Sequence, residues 1–192
     1  MPKFNNSLSS KLPKIGTSIF TVMSSLANEE GALNMSQGFP DFDVDPKLIE
    51  LVSKNMLRGN NQYAPMQGAL RLREALSHKI DKAYGVKYSP DSEITITSGA
   101  TQAIFTAISA FVKEEDEVII FTPAYDCYQP AIELNGGKAV FIQLHAPAYK
   151  IDWEKVKKVM SRKTKMIIIN TPHNPSGTML TKVDLMELDK IT

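Results

Sequence analysis

Cysteine is nearly missing from this chain. Cys127 stands alone, so no disulfide can close within the chain, and a reducing compartment is the expectation. Charge of one sign is missing too: 22 Lys and Arg against 21 Asp and Glu leave a net charge of +1. That excludes the strongly basic surface of a nucleic-acid binder or of a protein drawn to anionic lipid. No uninterrupted apolar run approaches membrane-spanning length. The opening MPKFNNSLSSKLPK lacks the apolar stretch of a signal peptide. No G-x-G-x-x-G follows a strand and no G-x-x-x-x-G-K-[ST] occurs, which argues against a nicotinamide-binding or P-loop domain. Internal repeats and low-complexity tracts are absent as well. Together these absences predict a soluble cytoplasmic protein that binds neither nucleic acid nor membrane.

What is present is enough to fold. In 192 residues, 43% are hydrophobic, sufficient to fill the core of one large domain or of one and a half small ones. Up to about Gly16 the chain reads as an extended arm, because Pro2 and Pro13 block helix. Ile19, Val22, Met23 and Leu26 predict a short helix ending near Asn28, and Ala32 to Ser36 a brief strand. Gln37 to Asp43 is a loop. Asp45-Pro46 supplies an N-cap and a first helical residue for a helix faced by Leu48, Leu51, Val52 and Met56. Asn60 to Pro65 is another loop, and Gly68 to Tyr84 a second helix stopped by Gly85.

The stretch Glu93 to Val112 organises the rest. Its alternating Ile94-Thr95-Ile96-Thr97 predicts a strand, and Ile104, Phe105, Ile108, Phe111 and Val112 predict a helix with one apolar face. Between them, Ser98-Gly99-Ala100-Thr101 makes a tight small-residue turn. Helix-start N–H groups lack internal partners and carry partial positive charge, so such a turn can seat an anion, with hydroxyls added by Ser98 and Thr101. An ordinary turn capped by Ser98 is the plainer alternative. Beyond it, Glu117–Phe121, Lys138–Leu144 and Lys165–Asn170 read as strands. Tyr125–Leu134 reads as a helix with Pro130 near its first turn, and Asp152–Met160 as a second. Thr181-Lys182-Val183-Asp184 resembles a capping box that opens a last one. This alternation predicts an α/β fold of three layers, α/β/α, around a mainly parallel sheet, with function at the carboxyl ends of its strands.

Two more loops fall at those ends. In Thr171-Pro172-His173-Asn174-Pro175-Ser176-Gly177-Thr178, two prolines stiffen the backbone around one amide. The Asn174 side chain can donate and accept, so it suits a phenolic oxygen of an aromatic cofactor, or it simply bonds its own backbone. Tyr125, just past its strand, can stack on a flat heteroaromatic ring or can simply pack.

At this point the chain resembles the fold-type-I, pyridoxal-phosphate-dependent aminotransferases of class I/II, in particular their methionine and kynurenine aminotransferase branch. The likeness runs from about Lys11 to the last residue. It rests on SKLPKIGTSIFTVMSSLA, NMSQGFPDFD, NQYAPMQGALRLREAL, TSGATQAI, TPAYDCYQPAI and NTPHNPSGT. The resemblance implies that Gly99, Ala100, Thr101 and Gln102 cup the phosphate of pyridoxal 5'-phosphate. It implies that Tyr125 stacks on the pyridine ring, and that Asn174 bonds the ring's 3-oxygen near the substrate carboxylate. Gly38 is implied to meet that carboxylate through its backbone. Tyr63 is implied to reach the phosphate of a partner subunit, hence a homodimer with shared sites. Tyr128 is a candidate for the substrate pocket. His173 and Cys127 are read as packing residues, and no metal site is expected. The implied division is 1–44, an N-terminal arm with part of a small domain, and 45–192, the N-terminal portion of the cofactor-binding large domain.

The resemblance also implies parts not matched in this sequence. Family chemistry needs a Schiff-base lysine, an acidic residue facing the pyridine nitrogen and an arginine clamp for the substrate. All three are expected beyond residue 192, so no catalytic residue is assigned within the chain. Lys182 and Lys190 are read as surface residues. The expectation is an inactive N-terminal portion of a transaminase. The whole enzyme would move an amino group from methionine, an aromatic amino acid or kynurenine to a 2-oxo acid. A cysteine-S-conjugate β-lyase on the same scaffold, or a non-catalytic paralogue that binds a ligand or a full-length partner, remains open.

Overall fold

The computed structural model describes residues 9–13, 15–38 and 40–192. Much of the expected N-terminal arm, and Phe39 of the Gln37–Asp43 loop, lie outside the described residues. Packing groups the chain into two units. One is Ile19–Gly99, and the other joins Ala100–Thr192 to the described residues up to Ser18.

The unit Ile19–Gly99 is helical. Helix α1 spans Ile19–Glu29 and α2 spans Pro46–Leu57. The α2 start follows its sequence signal: the Asp45 carboxylate accepts the Lys47 N–H at 2.7 Å and Pro46 occupies the first turn. Helix α3, Leu70–Tyr84, ends where Gly85 adopts φ +68 and returns its N–H to the Asp81 carbonyl at 2.8 Å. Arg73 of α3 is buried and donates to the carbonyls of Gly68 and Pro90, and the Ser77 hydroxyl donates to the Tyr88 carbonyl. These bonds hold residues 86–90 against the helix. The apolar faces expected on α1 and α2 exist, but Ile19, Val22, Leu26, Leu48, Val52 and Met56 stand exposed.

Two expected strands do not form in this unit. Ile94 to Thr97 pairs with no strand among the described residues. Its alternation suits a strand, but a strand also needs a neighbouring backbone, and the Ile96 N–H reaches only the Gln67 carbonyl, at 2.9 Å. Ala32 to Ser36 is irregular instead, with a bend at Ser36. There Asn34 bonds the Ser24 and Ser36 side chains, a local competition with strand pairing that short polar residues favour.

The other unit is the α/β layer structure. Helix α4 is Ala100–Phe111, followed by β1 (Glu117–Thr122), α5 (Tyr128–Leu134), β2 (Lys138–Gln143), α6 (Trp153–Val159), β3 (Thr164–Ile168) and α7 (Lys182–Asp189). The sheet order is β2-β1-β3 and every pair is parallel. Central β1 is buried from Val118 to Phe121, and its alternation sorts the two faces. Val118 and Ile120 pack with Ile108 and Val112 from the α4 end and with Ala131 and Ile132 of α5. Ile119 and Phe121 pack with Ile142, Leu144, and Trp153 and Val156 of α6. A strand covered on both sides has no reason to alternate polar with apolar, which is why EVIIF reads as a continuous run. Each such side chain contributes about 1.5–3 kcal/mol through burial.

The ends of these elements follow local chemistry. Thr181 and Asp184 form the expected capping box of α7, with the Asp184 N–H reaching Thr181 Oγ1 at 3.2 Å and the Thr181 N–H reaching Asp184 Oδ2 at 2.8 Å. Helix α5 starts at Tyr128, three residues later than expected, with Pro130 inside its first turn, where the missing N–H costs nothing.

Candidate functional site

Adjacent parallel strands end at one edge. β1 and β3 are in register through Ile120 and Ile168, so the loops after Thr122 and after Ile168 leave the sheet side by side. The start of α4 comes to the same edge. Val112, just past its end, packs against Gly137 at the foot of β2, so closely that a Cβ on Gly137 would lie 2.6 Å from Val112 Cγ1. Twelve residues of helix span about 18 Å. That is close to the length of the strands, so Ala100 returns to the level of their carboxyl ends.

The turn into α4 uses Gly99 at φ +86, a region that side chains disfavour, with its N–H bonded to the Thr97 carbonyl at 2.9 Å. No acidic residue lies in the first turn of α4, which leaves the positive end of the helix without an acid of its own. Ala100, Thr101 and Gln102 are exposed.

Tyr125 is half-buried in the loop after β1, and its ring meets that of Tyr128 edge-on, with centroids 5.9 Å apart. Tyr128 itself is buried in the core, and that burial raises its phenol pKa.

Asn174 is exposed. Its main-chain N–H is fixed by Asn170 Oδ1 at 2.7 Å. Its carboxamide makes no hydrogen bond among the described residues, so the self-bonded alternative does not hold. Around it the loop closes on itself. The His173 N–H donates to the Thr178 carbonyl at 2.7 Å, and the Gly177 N–H donates to the His173 carbonyl at 2.6 Å.

His173, read from the sequence as a packing residue, bonds within its own loop: its Nδ1 faces Ser176 Oγ at 2.7 Å. Burial lowers its pKa. The His-x-x-Ser spacing hints at that contact. A cavity of about 20 Å³ beside His173, bordered by Phe121 and Tyr149, has room for about one water and no ligand.

Ala100, Thr101, Gln102, Tyr125 and Asn174 thus belong to one unit, while Gly38, Tyr63 and Gly99 belong to the other. Gly38 is exposed with open space around its Cα, and Tyr63 is fully exposed. A helix start without acid, an aromatic face and an unengaged carboxamide fit a phosphorylated, flat, oxygen-bearing ligand. Among the described residues no group of three His, Cys, Asp or Glu could hold a metal ion, and no helix is long and apolar enough to cross a membrane.

The family model described as aminotransferase class I and II matches residues 30–192. Methionine aminotransferase of Escherichia coli (strain K12) is 48% identical over 179 residues, which are 93% of this chain and 46% of that protein. The probable N-succinyldiaminopimelate aminotransferase DapC of Mycobacterium tuberculosis is 35% identical over 184 residues, 95% of this chain and 46% of the relative. The solved structure of YbdL from Escherichia coli, described as having a methionine aminotransferase function, superposes with a TM-score of 0.92 at 46% identity. It covers 96% of this chain and 48% of its own. The chain spans about half the length of the curated relatives it matches.

Proposed function

We propose a function from one premise: the chain belongs to the class I and II aminotransferase family. The protein moves an amino group from an amino acid to a 2-oxo acid with pyridoxal 5'-phosphate. When bound, that cofactor supplies the electron sink that amino transfer needs. The residues of this chain bind and orient it. N–H groups at the α4 start, from Ala100 to Gln102, with Gly99 before them and the Thr101 hydroxyl, hold the phosphate. Tyr125 offers its ring face to the pyridine. Asn174 turns its carboxamide to the 3-oxygen and stands beside the substrate carboxylate, which the Gly38 backbone also meets. Tyr63 reaches the phosphate held by a second copy, so the protein acts as a homodimer. No residue of this chain is assigned the lysine, acid or arginine roles.

The observation that carries the reading is the shared edge of β1 and β3, with the unengaged Asn174 carboxamide on one loop and Tyr125 on the next. Methionine is the favoured donor, supported by the 48% identity to a protein named for it; aromatic amino acids and kynurenine follow. The test is titration of pyridoxamine 5'-phosphate into the protein, read by tyrosine fluorescence and by the absorbance of the ligand. Saturable binding that weakens in Thr101→Val and Asn174→Ala supports the site. No binding, or binding indifferent to both changes, refutes it. In protein that does turn over, an exchanged amino acid and oxo acid mark transfer, whereas pyruvate with ammonia marks a β-lyase.

A further inference from the structure

The loop that carries Asn174 is a closed block. The His173 N–H donates to the Thr178 carbonyl at 2.7 Å, and the Gly177 N–H donates to the His173 carbonyl at 2.6 Å. Ser176 Oγ lies 2.7 Å from His173 Nδ1 and 2.8 Å from Thr178 Oγ1. These bonds fix the shape of the block but not its heading, because they all run within residues 173–178. Pro172 and Pro175 have no N–H to offer. The Asn174 N–H, between them, reaches out of the block to Asn170 Oδ1 at 2.7 Å. Asn170 is half-buried and stands two residues past the end of β3, so this acceptor is tied to the sheet. A further bond, from the Leu180 N–H to Thr171 Oγ1 at 3.1 Å, returns the far end of the loop to the same strand exit.

The residue that Asn170 holds by its main chain is the one whose carboxamide is left for a ligand. We propose that Asn170 is a positioning residue: by accepting the Asn174 N–H it anchors the 173–178 block to the end of β3 and sets the direction in which the Asn174 carboxamide faces. This rests on the function proposed above, and it assigns Asn170 no contact with substrate or cofactor. Asparagine suits the task, because short polar side chains readily bond backbone groups a few residues away. A carboxamide aimed before the ligand arrives binds it without the cost of ordering the loop. Asn174 is exposed, so without Asn170 its N–H turns to water, and the loss falls on direction more than on folding.

The test compares wild type, Asn170→Ala, Asn174→Ala and the double variant Asn170→Ala/Asn174→Ala, each titrated with pyridoxamine 5'-phosphate. Asn170→Ala is expected to weaken binding about fivefold, roughly the effect of one hydrogen bond. In the double variant the two losses do not add, because Asn170 acts through the carboxamide that Asn174→Ala has already removed. Wild-type affinity in Asn170→Ala, or fully additive losses, would overturn the proposal. A second readout needs no ligand. The Cα and Cβ carbon shifts of Asn174, which follow its backbone angles, move in Asn170→Ala, while the amides of Val118 to Phe121 in β1 stay in place and show that the sheet is intact. Asn170→Asp keeps an oxygen acceptor and returns the Asn174 carbon shifts to their wild-type positions. Aspartate is judged on these shifts alone, since its charge acts directly on an anionic ligand. Unmoved Asn174 shifts in Asn170→Ala, or shifts in Asn170→Asp no nearer to wild type than those of alanine, refute the anchor. Failure of wild type to bind pyridoxamine 5'-phosphate refutes the function proposed above, and the carbon shifts then decide on the anchor alone.

Discussion

The indole N–H of Trp153 donates to Asp184 Oδ1 at 2.9 Å, joining α6 to the capping box of α7. Trp153 is the single tryptophan of the chain and is buried edge-on against Phe121, with ring centroids 6.5 Å apart. One carboxylate therefore serves a helix cap and an interhelix bond. Replacing Asp184 by Ala is expected to cost about 1–3 kcal/mol, the sum of a lost cap and a lost hydrogen bond. Urea unfolding followed by Trp153 fluorescence measures it.

The same carboxyl has a pH signature. Hydrogen bonds from Thr181 first, then from Trp153, hold its pKa below the ordinary 3.8. A carboxylate with a depressed folded pKa adds stability that is complete above the unfolded value and is lost as pH falls through the folded one. Unfolding midpoints are therefore expected to hold steady for this group above about pH 5 and to drop below about pH 4. Asp184→Asn removes that share of the drop. An unchanged acid limb in the variant would show that Asp184 is not the group responsible.

Asn174→Ala is expected to weaken binding of pyridoxamine 5'-phosphate on the order of tenfold, the loss of one hydrogen bond to a charged oxygen. Tyr125→Phe keeps the ring face and changes affinity little, whereas Tyr125→Ala removes the stack and weakens it about as much as the asparagine change. Fluorescence titration gives all three constants on one footing. Loss in Tyr125→Phe equal to that in Tyr125→Ala would mean that the hydroxyl, not the face, is what matters.

Gly68→Ala tests the helical unit. Gly68 sits at φ +94, and a Cβ there would lie 2.4 Å from Ile96 Cγ1. Backbone strain and the clash together are expected to destabilise that unit by about 1–3 kcal/mol. Faster proteolysis within Ile19–Gly99, with the β1 amides still protected from exchange, is the expected pattern.

Ile119→Ala tests the sheet. Ile119 is fully buried in central β1, and truncation there is expected to cost about 2–5 kcal/mol through lost burial and a cavity. Thermal or urea melts read it directly, and Trp153, in the same cluster, reports it.

Signals confined to a few consecutive residues were legible in the sequence. Asp45-Pro46, Gly85 and the Thr181-to-Asp184 box all start or stop helices as their side chains dictate. The run Glu117 to Phe121 announced a strand, and the α/β alternation announced the parallel sheet. Features that need a second segment were not legible. Ile94 to Thr97 has the composition of a strand, but pairing belongs to two backbones and not to one. The burial of Tyr128 is likewise set by neighbours far along the chain. At the candidate site, the loop residues were readable as unusual, whereas the bonds that close the 173–178 loop on itself were not.

The order β2-β1-β3 fixes a timetable for biosynthesis. β1 leaves the ribosome first, and its earlier partner, β2, follows after one short helix. The other flank of β1 stays open until β3 has been made, and until then Val118 to Phe121 present half of a ladder to any passing edge. Slow translation between Gln143 and Thr164 would lengthen that interval, so the codons of this connecting stretch bear on yield even though its side chains do no chemistry.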